Sequence, residues 1–475
     1  MSATGSDKLK FGTDGWRDVI GDRFTVVNVS RAAQAYAEHL LERGEGRVVV
    51  GYDNRFNGAL FARKAAEVLA ANGLEALMSN TSLPTPALSF AVKHYRAGGG
   101  VMLTASHNPP EYLGFKLKGA YGGTATDAIY RDVSRRVGEV AASPAQPFDA
   151  TRHALELFDI RESYWDHLSK LLNVAALRSF DGAIVHDAMG GSAAGWLAGY
   201  CRHAGLRLEV RELRGAADPM FYGVNPEPIA RNLAATMAPM RESDAVFATA
   251  TDGDGDRLGL VLPGGEFFNS HQIFAVMLDV LHRQGKRGAV VKTFTVSRIV
   301  ERLAVLRGLE VRETPVGFKH IVQAMLENNV LIGGEESGGI GVAGHIPERD
   351  GIANSLLLLE AVITSGLSLA ECFRAIEVET GWRHAYDRLD LQLGSESAKH
   401  GVLAALRDAP DRFAGREVNS VETLDGAKLN LTGDAWILFR VSGTEPVLRI
   451  YCEAQEPGEV AEILTAARAF VERSS

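Results

Sequence analysis

The chain has 475 residues, too many for a single hydrophobic core, so three or four domains are expected. Hydrophobic residues make up 46% of it and charged residues 23%, as in an ordinary globular protein, and the net charge of −9 argues against a nucleic-acid partner. Three widely spaced cysteines, a polar start and the lack of a long apolar run favour a cytoplasmic protein with no membrane partner.

Residues 1–150 alternate strand and helix signals and form the first predicted domain. Apolar runs and helical spacing predict, in order, a strand at 47–53, a helix at 61–71, strands at 74–78 and 100–104, and a helix around 129–137. The Pro-containing segment 141–150 is typical of a linker.

The next two stretches, residues 151–262 and 263–378, repeat this alternation. Strands are predicted at 183–185, 245–248, 289–292 and 330–332, and helices at 193–203, 273–281 and 298–306. Such alternation predicts α/β domains. Residues 379–475 differ, because strands at 436–441 and 447–454 precede a helix at 460–473, which predicts a smaller α+β domain.

Three carboxylates alternate with glycines directly after a predicted strand. Asp252, Asp254 and Asp256 provide hard oxygen ligands, and the glycines let the backbone curl so that the oxygens converge. This pattern predicts a Mg²⁺ site; the alternative is an Asp/Gly-rich surface loop. An EF-hand is excluded, because its sixth position would be Arg257 and its twelfth Pro263.

The segment Thr104–Pro110 follows another predicted strand and contains Ser106, His107 and an Asn-Pro turn. A serine held on such a loop is a candidate nucleophile, and Lys116 supplies a cation nearby. The alternative is a plain Asn-Pro turn with a capping serine. No GxSxG elbow surrounds Ser106, so an esterase is disfavoured.

Two further glycine-containing loops carry polar residues. Arg440–Pro446, with Arg449 beyond it, presents hydroxyls, backbone N–H groups and guanidinium groups, the inventory for binding a phosphate, although it is also typical of a hairpin turn. Gly333–Gly339 offers acceptors suited to sugar hydroxyls. Gly339–Gly344 spells GxGxxG, but Pro347 follows and no helix opens there, so a dinucleotide site is rejected.

Together with Phe11–Arg17, these segments resemble, in this order, the α-D-phosphohexomutase superfamily of phosphoglucomutases and phosphomannomutases. The shared motifs are an FGTxGxRG-like start, TASHNP, DGDGD, GExSG and RxSGTEP, and they extend from residue 11 to residue 449. The resemblance is nearest to the phosphoglucomutases.

The resemblance implies a role for each matching residue. Ser106 would carry the phosphoryl group, and an oxygen of its phosphoserine would complete the Mg²⁺ site of Asp252, Asp254 and Asp256. The other catalytic positions would be Lys116 as proton carrier, Arg17, Arg257 and His107. Substrate would be bound by Lys292, Gly317, Lys319, Glu335, Ser337, His345, Arg349, Arg440, Ser442, Gly443, Thr444 and Arg449.

The implied fold is three related α/β domains with mixed sheets plus a smaller C-terminal α+β domain, arranged around a central cleft. The implied reaction interconverts hexose 1-phosphate and hexose 6-phosphate through a hexose 1,6-bisphosphate, which also acts as activator, in a monomer or homodimer. The attacking sugar hydroxyl needs a base, so Lys116 is expected to have a depressed pKa.

One departure bears on the substrate. Some bacterial members active on both glucose and mannose have a His directly after GExSG, where this chain has Gly339, whereas His345 and Arg349 resemble the phosphoglucomutase variant. Glucose phosphate is therefore the expected substrate, with mannose, glucosamine or pentose phosphates as alternatives. A metal-dependent phosphatase with an aspartate nucleophile and a non-catalytic sugar-phosphate binder are the other functional classes.

Overall fold

The computed structural model describes residues 9, 11, 12, 14–139, 147–392, 406, 410–441 and 447–474. Within this part of the chain, three mixed α/β sheets precede one antiparallel sheet, so the predicted fold class is confirmed.

The first sheet carries the strand that leads into the Ser106 loop. The elements of this region are β1 (Trp16–Val19), α1 (Val26–Glu42), β2 (Arg47–Tyr52), α2 (Gly58–Ala71), β3 (Glu75–Ser79), α3 (Thr85–His94), β4 (Gly99–Leu103), β5 (Tyr112–Gly119), β6 (Gly123–Thr124), α4 (Asp127–Glu139) and β7 (Leu155–Phe158). The described strands run in the order β1-β5-β4-β2-β3-β7, with β6 beside β5. Strands β4, β2, β3 and β7 are parallel, and β5 is antiparallel to β4.

The second sheet carries the aspartate loop. Its region comprises α5 (Arg161–Leu171), α6 (Val174–Ser179), β8 (Ala183–Asp187), α7 (Trp196–His203), β9 (Glu209–Leu213), α8 (Ala234–Met240), β10 (Ala248–Thr251), β11 (Leu258–Val261) and β12 (Phe267–Phe268). The strand order is β12-β11-β10-β8-β9. The antiparallel pair β10–β11 turns through the aspartate loop, so residues 252–257 are held between two buried strands.

The third sheet ends in the predicted sugar-binding loop. Its region comprises α9 (Ser270–Arg283), β13 (Ala289–Thr293), α10 (Arg298–Leu306), β14 (Val311–Thr314), α11 (Phe318–Glu327), β15 (Val330–Gly334), β16 (Ile340–Val342), α12 (Gly351–Ser365) and α13 (Leu369–Thr380). The strand order is β14-β13-β15-β16. Asp350 caps the start of α12, because its carboxylate accepts from the N–H groups of Ile352 and Ala353.

The last region is an antiparallel sheet covered by a helix. It comprises β17 (Ala385–Gln392), β18 (Arg412–Phe413), β19 (Arg416–Glu422), β20 (Ala427–Leu431), β21 (Trp436–Val441), β22 (Val447–Ala454) and α14 (Pro457–Ser474). Its strand order is β17-β22-β21-β20-β19-β18.

The domain boundaries at residues 150, 262 and 378 stay predictions. Strand β7 lies beyond residue 150 but pairs with β3 of the first sheet, and β12 lies beyond residue 262 but pairs with β11 of the second. We refer to the four predicted domains as domains I to IV.

The first three domains share an apolar core, whereas the fourth has a core of its own. One continuous apolar cluster contains residues of α3 from domain I, α7 from domain II and α12 from domain III. Domain IV has its own core and contacts domain III through a small cluster of Phe294, Trp436, Leu438 and Tyr451. The loops of the first three domains are therefore held on a common body.

The described helices differ in length and apolar character from membrane spans. Taken singly, none of them has the length and apolar character to cross a bilayer; α12 and α13 qualify only as a pair, bent by 79° at the break between them.

Candidate active site

Ser106 lies at the end of β4 in a strained backbone conformation. Its φ is +53°, a region that residues with a Cβ seldom adopt, and the residue is 1% exposed. The hydroxyl of Thr104 accepts from the Ser106 N–H at 2.9 Å, and the Ser106 Oγ donates to Asp252 Oδ2 at 2.7 Å. The strain therefore aims the serine hydroxyl at the aspartate loop.

Arg55, which sequence reasoning missed, holds this loop in place. Its guanidinium donates to the carbonyl oxygens of Ser106, Asn108, Pro109 and Tyr112 at 2.6–3.0 Å. The side chain is fully buried and lies 3.3 Å from Asp53, on the loop after β2. Its acceptors are backbone carbonyls about 50 residues away, so no motif marks it; the only signal is an arginine directly after a strand.

The three aspartates converge as predicted. Asp252, Asp254 and Asp256 are all 0% exposed, and one carboxylate oxygen from each lies within 4.8 Å of the others. Gly253 passes so close to the serine loop that a Cβ there would lie 2.6 Å from the Ser106 carbonyl oxygen. A glycine is thus required where the two loops meet.

This donor set fits a Mg²⁺ ion. The Oδ1 atoms of Asp254 and Asp256 are buried and have no hydrogen-bond partner among the described residues. Asp252 Oδ1 instead accepts from the N–H groups of Asp256 and Arg257, which orients its carboxylate. Buried hard oxygens without donors are what a divalent cation would satisfy.

The aspartates titrate differently because their neighbours differ. Burial, with the charges of Asp254 and Asp256, raises the pKa of Asp252 well above its usual value. Burial also raises the pKa of Asp256, against the opposing charge of Arg349. Burial has the same tendency at Asp254, but the adjacent Lys116 and a hydrogen bond from Thr85 outweigh it and lower the pKa.

Lys116 lies inside this cluster, and its charge state corrects the sequence prediction. Its Nζ lies 2.9 Å from Asp254, 3.0 Å from Asp14 and 3.6 Å from Asp256. Burial favours the neutral amine, but these three carboxylates outweigh it, so the pKa of Lys116 is raised rather than depressed. Neighbouring carboxylates, not cations, dominate its surroundings.

Arg17, Arg257 and His107 surround the serine loop. Arg17 donates to Asn108 at 2.6 Å and to Asp14 at 3.1 Å, and Arg257 Nε lies 3.9 Å from both Asp252 and Asp256. Burial lowers the pKa of His107 well below its usual value, helped by Arg257, Arg17, Arg449 and Arg388. His107 is therefore neutral beside a concentration of positive charge.

Domain III contributes an acidic and a basic residue to the cluster. Glu335 accepts from the Gly317 N–H at 3.1 Å and lies 3.3 Å from Arg349, whose other nitrogen lies 2.6 Å from Asp256 and 3.1 Å from Asp14. Burial raises the pKa of Glu335. The Ser337 Oγ is buried with no hydrogen-bond partner among the described residues. The predicted sugar loop thus reaches the aspartate loop through Arg349.

Three predicted binding residues have partners other than the residues of this cluster. Lys292 is 2.5 Å from Glu313 and 3.6 Å from Glu301, and Lys319 is 2.6 Å from Asp127 of α4. His345, expected to contact substrate, is buried with both ring nitrogens partnered, at 2.7 Å by Asp350 and at 2.9 Å by His167. Adjacent carboxylates and, for His345, packing against α5 account for these positions.

Domain IV is described up to the edge of its predicted phosphate loop. Arg440 donates to Asp425 at 2.9 Å, and it pairs across the sheet with Arg449. Ser442, Gly443 and Thr444 lie outside the described residues. The two arginines that flank the loop are therefore neighbours on one face of the sheet.

Asp14 is a second residue that sequence reasoning missed. Its Oδ2 lies 3.0–3.1 Å from nitrogens of Arg17, Lys116 and Arg349. It belongs to the amino-terminal FGTDGWR segment, whose arginine was identified while its aspartate was not. The available signal was a carboxylate three residues before Arg17 in the same motif.

Models of a known protein family match most of the chain. Phosphoglucomutase/phosphomannomutase family models match as alpha/beta/alpha domain I over residues 8–142, domain II over 162–265, domain III over 269–378 and the C-terminal domain over 402–469.

Several relatives match over nearly their whole length. A phosphoglucomutase/phosphomannomutase of Thermococcus kodakarensis is 29% identical, with 96% of each chain covered, and a phosphoglucosamine mutase of Thermobifida fusca is 30% identical, with 94% of each covered. A structure from Thermus thermophilus, provisionally described as a phosphomannomutase, has a TM-score of 0.88 at 46% identity, covering 98% of this chain and 99% of that one. An Aspergillus fumigatus N-acetylphosphoglucosamine mutase, solved with GlcNAc-6P and magnesium, shares the fold at a TM-score of 0.61 and 15% identity, covering 100% of this chain and 97% of that one.

Proposed function

The chain belongs to the phosphoglucomutase/phosphomannomutase family of the α-D-phosphohexomutase superfamily and is an isomerase of the intramolecular phosphotransferase type; we propose that it interconverts glucose 1-phosphate and glucose 6-phosphate. The phosphoryl group passes through Ser106, and glucose 1,6-bisphosphate is both the intermediate and the activator.

One contact carries this proposal: the Ser106 hydroxyl lies 2.7 Å from Asp252, within the buried aspartate cluster. A hydroxyl fixed at a cation-binding group is what phosphoryl transfer through a serine requires, because catalysis depends on positioning and charge neutralisation at the transferring oxygens.

The aspartates would hold Mg²⁺ together with a phosphoserine oxygen. When bound, the ion neutralises charge on the transferring phosphoryl group. Arg17 and Arg257 add positive charge beside the loop, whereas His107 is neutral and adds none. Arg55 keeps the serine on its strained backbone throughout the cycle.

Lys116 is the proposed proton carrier between the sugar hydroxyl and the leaving oxygen. As an ammonium among three carboxylates it holds a proton, which it would give to the leaving oxygen as it takes up the proton of the attacking hydroxyl, so that it returns to the ammonium form. Asp14 shares its charge with Lys116, Arg17 and Arg349 and keeps these cations in fixed positions.

The preference for glucose rests on the sugar loop. Gly339 replaces the His of dual-specificity members, and a Cβ at this position would lie 2.3 Å from Arg349 Cδ. Arg349 thus occupies the space that a side chain at position 339 would need. Glu335, oriented by Gly317 and Arg349, remains as the acceptor for sugar hydroxyls.

The test is a substrate panel followed by phosphorus NMR. Glucose, mannose, glucosamine and ribose 1-phosphates are each incubated with protein, Mg²⁺ and a trace of the matching bisphosphate. We expect glucose 1-phosphate to be isomerised fastest, with negligible inorganic phosphate. A faster reaction with glucosamine 1-phosphate would overturn the glucose preference, and release of phosphate without isomerisation would indicate a phosphatase.

Variants of two serines complete the test. Ser106→Ala is expected to abolish isomerisation, whereas Ser179→Ala, at the exposed end of α6, serves as the matched control. Normal turnover by Ser106→Ala would contradict the proposed phosphoryl carrier.

A further inference from the structure

Arg388 lies at the centre of a charged cluster where domains II, III and IV meet. From β17 its guanidinium lies 3.4 Å from Glu227 of domain II, 3.6 Å from Glu336 of domain III and 3.2 Å from Asp390 on its own strand. The side chain is 17% exposed. These distances exceed the ~2.7–2.9 Å of a tight charge-assisted hydrogen bond, so the arginine is shared loosely among three anions.

The register of the domain IV sheet places Arg388 beside the proposed phosphate site. Asp390 pairs with Arg449, and Arg449 pairs with Arg440 on the next strand. Paired residues of antiparallel strands point to one face, and residues two apart on a strand share that face. Arg388 is therefore a third arginine on the face that carries Arg440 and Arg449.

The charge of Arg388 also reaches the serine loop. It is one of four arginines, with Arg17, Arg257 and Arg449, whose charges contribute to the low pKa of His107, next to Ser106. Its charge therefore acts on the same loop as the charges of Arg17 and Arg257.

Glu227 is a charged carboxylate surrounded by arginines. The residue is 8% exposed and contacts Arg388 and Arg231, both at 3.4 Å. Burial would raise its pKa, but Arg388, Arg257, Arg231 and Arg449 outweigh it and lower the pKa, so the carboxylate is charged. A substrate phosphate would be attracted to the same arginines.

Building on the proposed function, we propose that Arg388 binds the phosphate of the sugar phosphate that is not being transferred, and that Glu227 is a competitor which this phosphate displaces. A guanidinium matches a phosphate bidentately, which its present long contacts to single carboxylate oxygens do not achieve. Exchange of Glu227 for the ligand removes this ion pair between domains IV and II and pairs Arg388 with the substrate.

This proposal predicts effects of opposite sign for the two partners. Arg388→Gln removes a phosphate ligand and raises the KM for glucose 1-phosphate about tenfold, with kcat little changed. Glu227→Gln frees Arg388 and lowers the KM about threefold, because a larger fraction of the protein is ready to bind. In the double variant, Glu227→Gln no longer lowers the KM.

The experiment measures KM and kcat for these variants, with inorganic phosphate as competitive inhibitor. Asp434→Asn is the matched control, since it removes ion pairs between domains III and IV, to Arg298 and Arg302, outside the cluster. Asn also tolerates the φ of +61° at that position. The control is expected to leave both constants unchanged.

Calorimetric binding of glucose 6-phosphate to each variant separates this proposal from the proposed function, because it needs no turnover. The dissociation constant should rise in Arg388→Gln and fall in Glu227→Gln, even if glucose 1-phosphate is not isomerised. A weaker affinity in both single variants would show that the ion pair only positions domain IV, and unchanged affinity in Arg388→Gln would also overturn the proposal.

Discussion

Ser106 owes its position to strain that its neighbours hold in place. A non-glycine residue at positive φ costs about 1–3 kcal/mol, and the surroundings must supply that energy. Arg55 does so through four carbonyl acceptors, and Thr104 adds a hydrogen bond to the Ser106 N–H.

Replacement of Arg55 should therefore impair catalysis through the loop. Arg55→Lys has too few donors in a fixed plane to satisfy the carbonyls, and a displacement of the serine by about 1 Å can lower kcat about 100-fold. Steady-state kinetics measure the effect, with Arg63→Lys on the exposed face of α2 as control. A kcat equal to that of the unmodified protein would show that the loop needs no clamp.

The residues that sequence reasoning found and missed differ in a physical way. Ser106 and the aspartates lie in short motifs whose chemistry is local, and they converge as predicted. Asp14 and Arg55 act through partners far away in sequence, and the charge state of Lys116 depends on carboxylates that only the fold assembles. Patterns of neighbouring residues do not contain that information.

At the scale of elements, the segment between β16 and α12 holds the site together. Glu348 accepts from Lys118 at 2.6 Å, Ser89 at 2.9 Å and Thr124 at 3.0 Å, all of domain I. Asp350 accepts from Tyr164 of domain II at 2.6 Å. Arg349 lies between these two anchored carboxylates, which fixes its guanidinium on Asp256.

Loss of the Glu348 charge should destabilise the protein. Glu348→Gln leaves the fully buried Lys118 ammonium without its counter-ion, which costs about 3–5 kcal/mol of unfolding free energy. Urea denaturation measures this loss, and adding Lys118→Gln should recover part of it. Equal midpoints for Glu348→Gln and the unmodified protein would contradict the assignment.

The predicted elements were accurate where apolar periodicity is continuous and shifted where buried polar residues interrupt it. Helix α10 and strands β21 and β22 have the predicted bounds. Strand β10 was predicted at 245–248 but spans Ala248–Thr251, because Thr249 and Thr251 are buried despite their hydroxyls. No strand was predicted at β5, where Lys116 and Lys118 interrupt the apolar residues although both lysines are buried.

For the whole molecule, domain IV is attached to domain III through hydrogen bonds beside the small cluster of Phe294, Trp436, Leu438 and Tyr451. Across the boundary, Glu453 accepts from the Arg298 N–H at 3.0 Å and Lys428 donates to the Phe294 carbonyl oxygen at 3.1 Å; within domain IV, Glu453 also accepts from Trp382 at 3.1 Å and Trp436 at 2.6 Å. Arg388, Arg440 and Arg449, where ligand binding is proposed, lie toward the other end of the same sheet.

Because of this contact, the stability of the protein should change with pH in the alkaline range. Burial, with the charge of Lys292, lowers the pKa of Lys428 to about 8, so folding disfavours its ammonium form. The penalty is full below pH 8 and disappears as pH rises toward the ordinary lysine value of about 10.5, so stability rises over that range. Between pH 7 and 9 the unmodified protein should gain about 1 kcal/mol relative to Lys428→Met in urea denaturation. Parallel pH profiles would contradict this.

Metal binding should also be visible in the stability of the whole chain. Mg²⁺ that binds the folded aspartate cluster raises the midpoint of thermal unfolding, because it binds the native state preferentially. Differential scanning calorimetry with Mg²⁺ or EDTA measures the shift, which Asp254→Asn should abolish and Asp166→Asn, on the surface of α5, should retain. An equal shift in Asp254→Asn would place the ion elsewhere.

The most direct measurement is where the phosphoryl group resides during turnover. Protein incubated with glucose 1,6-bisphosphate and Mg²⁺ is digested and its peptides are analysed by mass spectrometry. We predict a single phosphoryl group on Ser106, which is lost to glucose phosphate when fresh substrate is added. A phosphoryl group found on an aspartate of residues 252–256, or on Ser106 but never passed to sugar, would contradict the account.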